Sequence, residues 1–263
     1  MRKFLISILP LFFICSATLV GATDIRLHNS NYFVVHGANG PSQPENELAG
    51  TTRFQMSIAA DLLNLNSLGI PVDIVGAVTT YNRWDIAGES APMLGTDYAP
   101  EVWAELRKIL SGITAFRLGF RHESTGEAGP ESLGWNTLFF NTDMSRELPL
   151  GMTVYATPEV WAVLSEDENT EGIGDKDHTG LWVDDFGGSL PITLVTSAGS
   201  LMLELGRSSG SLELRVDLIP GLNQFEIFLQ GFRGQKPYLI AFDEYQTTFA
   251  AGIALVPPDR GEE

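Results

Sequence analysis

Cysteine is almost missing from this chain: Cys15 is the only one in 263 residues. It lies in MRKFLISILPLFFICSATLVGA, where Arg2 and Lys3 precede a long uncharged stretch that closes on Val20-Gly21-Ala22. A basic start, an apolar middle and a small-residue end are the parts of a secretory signal peptide, so residues 1–22 are expected to be removed. Ile14 before Cys15, rather than a small residue, argues against lipoprotein processing. The mature chain then has no thiol, which excludes a disulfide scaffold and a thiolate metal site. Positive charge is scarce as well. Sixteen Lys and Arg against 33 Asp and Glu give −17, and losing Arg2 and Lys3 makes it −19. Such a surface excludes nucleic acid as a partner, because phosphate binding needs clustered basic side chains. No second apolar run of about eighteen residues follows the leader, so no further membrane helix is available. A chain that is 44% hydrophobic and 19% charged is left with two classes, an exported soluble β-protein or a membrane β-barrel.

What is present is strict alternation. Leu212, Leu214, Val216 and Leu218 share one face, and Ser211, Glu213, Arg215 and Asp217 the other. Phe54, Met56, Ile58 and Ala60 oppose Arg53, Gln55, Ser57 and Ala59. Phe225, Ile227 and Leu229 oppose Glu226, Phe228 and Gln230; Phe249, Ala251, Ile253 and Leu255 oppose Thr248, Ala250, Gly252 and Ala254. A period of two over this length indicates antiparallel strands with one apolar face. Roughly twelve such segments, bounded by Gly, Asn, Asp and Pro, begin near residues 31, 52, 71, 98, 113, 134, 151, 178, 190, 211, 224 and 246. That spacing suits transmembrane strands with alternating short and long turns. The acidic stretch 165–178, SEDENTEGIGDKDH, is expected to be an extracellular loop. EVWAELRKIL (101–110) reads equally as helix or strand. Soluble sandwiches alternate too, so periodicity leaves the choice open. Charges opposite the apolar rows favour a single-domain barrel of about 12 strands over residues 23–263, with 257–263 as a polar tail. The five Trp and six Tyr suit either interfacial girdles or an ordinary core.

Candidate chemistry lies between residues 113 and 141. Thr114, Phe116, Leu118, Phe120, His122 and Ser124 share one parity, and Ala115, Arg117, Gly119, Arg121 and Glu123 the other. Arg and Glu belong in a hydrated lumen, so the Phe-Leu-Phe row faces lipid and carries His122 and Ser124 with it. Asn136, Leu138 and Phe140 repeat that parity after the connection. A serine hydroxyl needs an imidazole to take its proton, and the imidazole needs a third group to fix its tautomer. Asn supplies that group without setting a full charge beside hydrocarbon. Gly126 follows where backbone amides can turn toward an oxyanion.

The longer pattern is His122-Glu123-Ser124-Thr125-Gly126, then Pro130 and Ser132, then Gly134-Trp135-Asn136. It resembles the signature of the outer membrane phospholipase A family, His-x-Ser-Asn-Gly followed at a fixed interval by Ser-Trp-Asn. Asn31-Tyr32, TRFQMSIAADLL (52–63), Trp84 and SAPMLGTDYAPEVW (90–103) extend the resemblance over residues 31–141. It implies a twelve-stranded barrel in the bacterial outer membrane, with a serine hydrolase site on the outside of the wall. Ser124 would be the nucleophile, His122 the base and Asn136 the orienter of His122, with the amides of Ser124 and Gly126 holding the oxyanion. The activity implied is hydrolysis of phospholipid acyl esters at sn-1 and sn-2 in the outer leaflet, releasing fatty acid and lysophospholipid. The resemblance further implies an active homodimer and a Ca2+ site. Its ligands would be the backbone carbonyl of Glu127, the hydroxyl of Ser132 and, from the partner chain, the carbonyl of Ser90.

The chain departs from the pattern at Thr125 (Asn in relatives), at Glu127 (a basic residue) and at Ser90-Ala91 (tandem serines). A non-catalytic barrel, either a channel or an inactive relative, is the alternative function; a secreted soluble β-protein is the third. His28 and His36 stand isolated near the amino terminus, and His178 sits among Glu166, Asp167, Glu168, Asp175 and Asp177, a charge run that reads as a solvated loop. Asp185-Phe186-Gly187-Gly188 mimics a kinase motif without the strand–helix context it needs.

Overall fold

The computed structural model describes residues 25–29, 31–38, 51–65, 68–86, 89–127, 132–166, 181–183, 186–205, 210–217, 225–235 and 245–255. The expected signal peptide, the acidic loop beyond Glu166 and the polar tail lie outside them. The described strands are β1 (Ile25–Leu27), β2 (Asn31–Ala38), β3 (Thr51–Asn64), β4 (Asp73–Asp85), β5 (Met93–Leu110), β6 (Ile113–Ser124), β7 (Gly134–Leu148), β8 (Met152–Ala156), β9 (Glu159–Glu166), β10 (Leu181–Val183), β11 (Phe186–Thr196), β12 (Gly199–Leu205), β13 (Gly210–Asp217), β14 (Phe225–Gln235) and β15 (Tyr245–Leu255). All belong to one antiparallel sheet, which closes on itself where β15 pairs with β2 from Thr248↔Ala38 to Leu255↔Asn31.

The segments make a closed barrel of twelve staves, because two staves are each built from two segments. β1 and β2 both pair with β3, and the side chain of Asn31 bridges their break by bonding the backbone of Ser57. β8 and β9 both pair with β7 and with β11, interrupted at Thr157-Pro158. Pro158 has no N–H to give, and Pro191 stands opposite the break on β11. The Pro191 carbonyl instead takes the Thr157 N–H at 3.2 Å, and the Pro158 carbonyl takes that of Thr142 at 3.2 Å.

Burial is inverted relative to a water-soluble fold. Leu212 and Leu214 are 52% and 42% exposed while Glu213 between them is 7% exposed. Phe225, Ile227 and Leu229 are likewise exposed and Glu226 is buried. Apolar rows outward with charges inward are unfavourable against water and favourable against lipid, which separates a transmembrane barrel from a sandwich. Inside, Glu105 is fully buried between Arg107 and Arg117, and Arg117 also reaches Asp143. Glu101 meets His28 and Arg121, and Arg121 reaches Glu159 at 2.9 Å. Trp103 and Phe139 fill the space between these charges; a Cβ at Gly119 would lie 2.5 Å from the Phe139 ring and 2.6 Å from Trp103 Cβ. Trp103, Trp135 and Trp161 join these inner clusters, so three of the five tryptophans are core rather than girdle.

EVWAELRKIL is strand, the second half of β5. The segment expected near 178 is not a stave; its described part, β10, is a three-residue arm paired to the start of β11. β12 is a stave not among the twelve segments expected from the sequence. A two-residue turn at Ser197-Ala198 doubles an almost continuous apolar run back on itself, with the Thr196 hydroxyl bonding the Ala198 amide and the Gly199 carbonyl.

The connections 111–112, 149–151 and 197–198 lie at the end of the barrel where β2 begins and β15 finishes, and 86–92 and 125–133 at the other end, where the candidate residues lie.

Candidate active site

β6 and β7 run side by side in a register that pairs His122 with Asn136, Glu123 with Trp135 and Ser124 with Gly134. Alternation then sends His122, Ser124 and Asn136 outward, at the head of the apolar rows that contain exposed Leu118, Leu138 and Phe140. His122 Nδ1 and Asn136 Oδ1 are 3.0 Å apart, so the cross-strand pair is a hydrogen bond. Because the amide oxygen can only accept, Nδ1 carries the proton and Nε2 is left as the acceptor. Asn136 Nδ2 in turn donates to Ser165 Oγ on β9 at 2.9 Å.

The register is locked from the lumen side. Glu123 accepts the Trp135 indole N–H at 2.8 Å, directly behind the outward pair. One step along, Arg121 is held by Glu101 and Glu159 and lies over the Phe139 ring, 4.7 Å from its centroid.

Beyond Ser124 the chain turns sharply. Gly126 has φ of +69°, and a Cβ there would meet the Tyr98 ring at 2.9 Å, so the turn admits glycine for both reasons. Tyr98 stands opposite Ser124 on β5 and is exposed on the outer face. Thr125 is buried, and its hydroxyl accepts the Leu133 amide at 3.2 Å and the Glu127 amide at 3.4 Å. Its own N–H donates to the Leu133 carbonyl at 3.0 Å. The base of the connection is therefore pinned at Thr125, which holds Glu127 on one rim and the Ser132-Leu133 step on the other.

Ser90 lies on the neighbouring connection at the same end, exposed, with φ of +66°, followed by Ala91 at +45°. The Trp84 indole donates to the Ala91 carbonyl at 2.7 Å, and Asp85 N–H to the Pro92 carbonyl at 3.0 Å, so this unusual backbone is anchored at both sides. The Glu127 carbonyl, the Ser132 hydroxyl and the Ser90 carbonyl are neutral hard oxygens of the kind that calcium accepts. No cluster of three His, Cys, Asp or Glu suited to a metal occurs among the described residues. His28, which looked isolated, bonds Glu101 at 2.8 Å and stacks on Trp103.

A family model described as phospholipase A1 matches residues 16–255. The chain belongs to the phospholipase A1 family. Phospholipase A activity comes with that membership. A phospholipase A1 of Proteus vulgaris is 26% identical over 214 residues, covering 77% of this chain and 68% of the relative. The outer membrane phospholipase of Salmonella typhi, solved as a dimer with bound calcium, superposes with a TM-score of 0.72 at 18% identity, over 89% of this chain and 92% of that one. Outer membrane phospholipase A of Escherichia coli matches with the same values. An active-site mutant of that enzyme with an asparagine changed to alanine gives 0.72 at 19%. These solved structures share the barrel fold of this member of the family.

Three residues of the site were not singled out from the sequence as working parts. In the sequence Tyr98 carries no local pattern of its own, Thr125 stands where relatives have Asn, and Ser165 opens the acidic stretch 165–178.

Proposed function

We propose that this phospholipase hydrolyses acyl esters of outer-leaflet phospholipids by a Ser124–His122–Asn136 mechanism, dependent on calcium and on dimerisation, in the bacterial outer membrane. The observation that carries the mechanism is the 3.0 Å His122 Nδ1–Asn136 Oδ1 bond on the apolar outer face. It commits the imidazole to the tautomer whose Nε2 can take a proton, two residues from Ser124 on the same face of the strand.

Ser124 Oγ attacks the ester carbonyl while its proton passes to His122 Nε2. The amides of Ser124 and Gly126 donate to the oxyanion of the tetrahedral intermediate. The carbon–oxygen bond to the glycerol then breaks, and His122 returns the proton to the departing lysophospholipid. Water attacks the acyl-enzyme with His122 again as base, and fatty acid leaves. Asn136 keeps the imidazole in place throughout; an active-site asparagine in the E. coli enzyme supports the same residue type here.

The Glu127 carbonyl, the Ser132 hydroxyl and the partner's Ser90 would hold calcium, and its positive charge would favour the developing oxyanion. The calcium-bound dimer of the Salmonella enzyme supports this reading, as does the pinning of both loop rims by Thr125. Residues 1–22 would serve as the export signal and 23–263 as the barrel, with the polar stretch 257–263 as its tail.

The test is fatty-acid release from mixed phospholipid micelles by purified protein, with and without calcium, beside Ser124→Ala. Calcium-stimulated release that disappears in the variant supports the reading. Release that persists in the variant refutes the nucleophile, and folded protein inactive with calcium favours a non-catalytic barrel.

A further inference from the structure

We infer that Ser165 is a positioning residue for the hydrolysis, the outer end of a relay Ser124–His122–Asn136–Ser165. The inference rests on the Ser-His-Asn reading above and extends it. Along β9 the alternation puts Val160 and Leu164 on the outer face, both exposed, and Trp161 and Val163 against the inner tryptophan cluster. Strict alternation would therefore turn Ser165 into the lumen. It does not, because the register shifts at this point: Thr137 pairs with Val163, but Asn136 pairs with Ser165. The extra residue, Leu164, is a bulge, and bulges re-aim the side chain that follows. Here the bulge turns Ser165 beside Asn136, where its Oγ accepts from Nδ2 at 2.9 Å.

The consequence is specific to an amide. A carboxylate orienter has two equivalent acceptors and no donor to satisfy, whereas Asn carries an NH2 that must find a partner once its oxygen is committed to His122. On an apolar face, next to hydrocarbon, water is a poor substitute partner. Ser165 meets that need and fixes the amide plane, so that Oδ1 stays on His122 Nδ1. Without it the amide can swing or turn over. An overturned amide offers N–H to Nδ1 and moves the imidazole proton to Nε2, the tautomer that cannot accept from Ser124.

The test compares kcat and KM on mixed micelles for Ser165→Ala, Ser165→Thr, Asn136→Ala and the Ser165→Ala/Asn136→Ala double variant, each normalised to folded barrel by unboiled gel mobility. The expected result is a kcat loss of about fivefold to tenfold for Ser165→Ala, the worth of one hydrogen bond, with KM unchanged. Ser165→Thr retains the hydroxyl and restores kcat. In the Asn136→Ala background the loss of Ser165 adds nothing, since the relay is already cut. Wild-type kcat in Ser165→Ala, or a loss that multiplies fully with that of Asn136→Ala, overturns the inference. Ser124→Ala run alongside keeps the two readings apart. If it retains hydrolysis the triad fails; if it is dead while Ser165→Ala is unaffected, only the role of Ser165 fails.

Discussion

Two histidines on opposite sides of one barrel wall solve the same problem differently. His28, in the lumen, gives Nε2 to the carboxylate of Glu101 at 2.8 Å and stacks on Trp103. His122, on the outer face, gives Nδ1 to the amide oxygen of Asn136 at 3.0 Å. Inside, the Glu101 charge is also met by Arg121 at 3.3 Å, so a carboxylate is affordable there. Outside, the rows of Leu and Phe offer no countercharge, and an unpaired carboxylate beside hydrocarbon is costly. The two also differ in what remains of the ring. His28 Nδ1 is buried with no partner among the described residues, whereas His122 presents Nε2 on the face that carries Ser124. In the proposed mechanism one histidine serves structure and the other proton transfer, and the surroundings of the orienting group tell them apart.

The largest effect that would sharpen this contrast is loss of the proton-transfer pair. Ser124→Ala and His122→Ala should each lower kcat by at least about a thousandfold, and the double variant little further, by titrimetric assay of fatty-acid release. Asn136→Ala should lower kcat by roughly ten- to a hundredfold, since it removes orientation and leaves both reacting groups. Asn136→Asp carries the lumen solution to the outer face. It should cost about 1–2 kcal/mol of stability in bilayers, read as a lower denaturant midpoint against Asn136→Ala; equal midpoints would break the contrast. Glu101→Gln makes the opposite exchange inside. It should cost about 1–2 kcal/mol by the same measurement, because it leaves His28 and Arg121 short of their shared anion, while kcat per folded molecule is retained. Thr125→Val removes the acceptor shared by two loop amides. A calcium requirement raised by about threefold, measured as the half-saturating concentration, is the smallest change expected.

Much of this wall was legible because a strand's two faces alternate regardless of what surrounds it. Leu212 and Glu213 are separable from sequence alone, and so is the common outward parity of His122, Ser124 and Asn136. Composition does not say which face is outside: the same alternation serves a soluble sandwich, and buried Glu213 beside exposed Leu212 is what distinguishes the two. Legibility also fails where alternation is broken. β12 was hidden because Ser197-Ala198 makes a turn too short to interrupt an apolar run. Ser165 was hidden because a bulge reverses its parity. The Glu101–His28 pair joins residues 73 positions apart, and no local pattern reports it.

The sequence by itself determined the strand rhythm, the leader-like start, the polar residues that ride on an apolar row and the family to which they point. Those features depend on neighbours one or two residues away, which backbone geometry alone relates. Only the tertiary structure decided that the sheet closes, that the charges lie within it, and that His122, Asn136 and Ser165 meet across three adjacent staves. Register between strands is set by ring closure, proline breaks and bulges acting together, and a shift of one residue would turn any of these side chains to the other side of the wall.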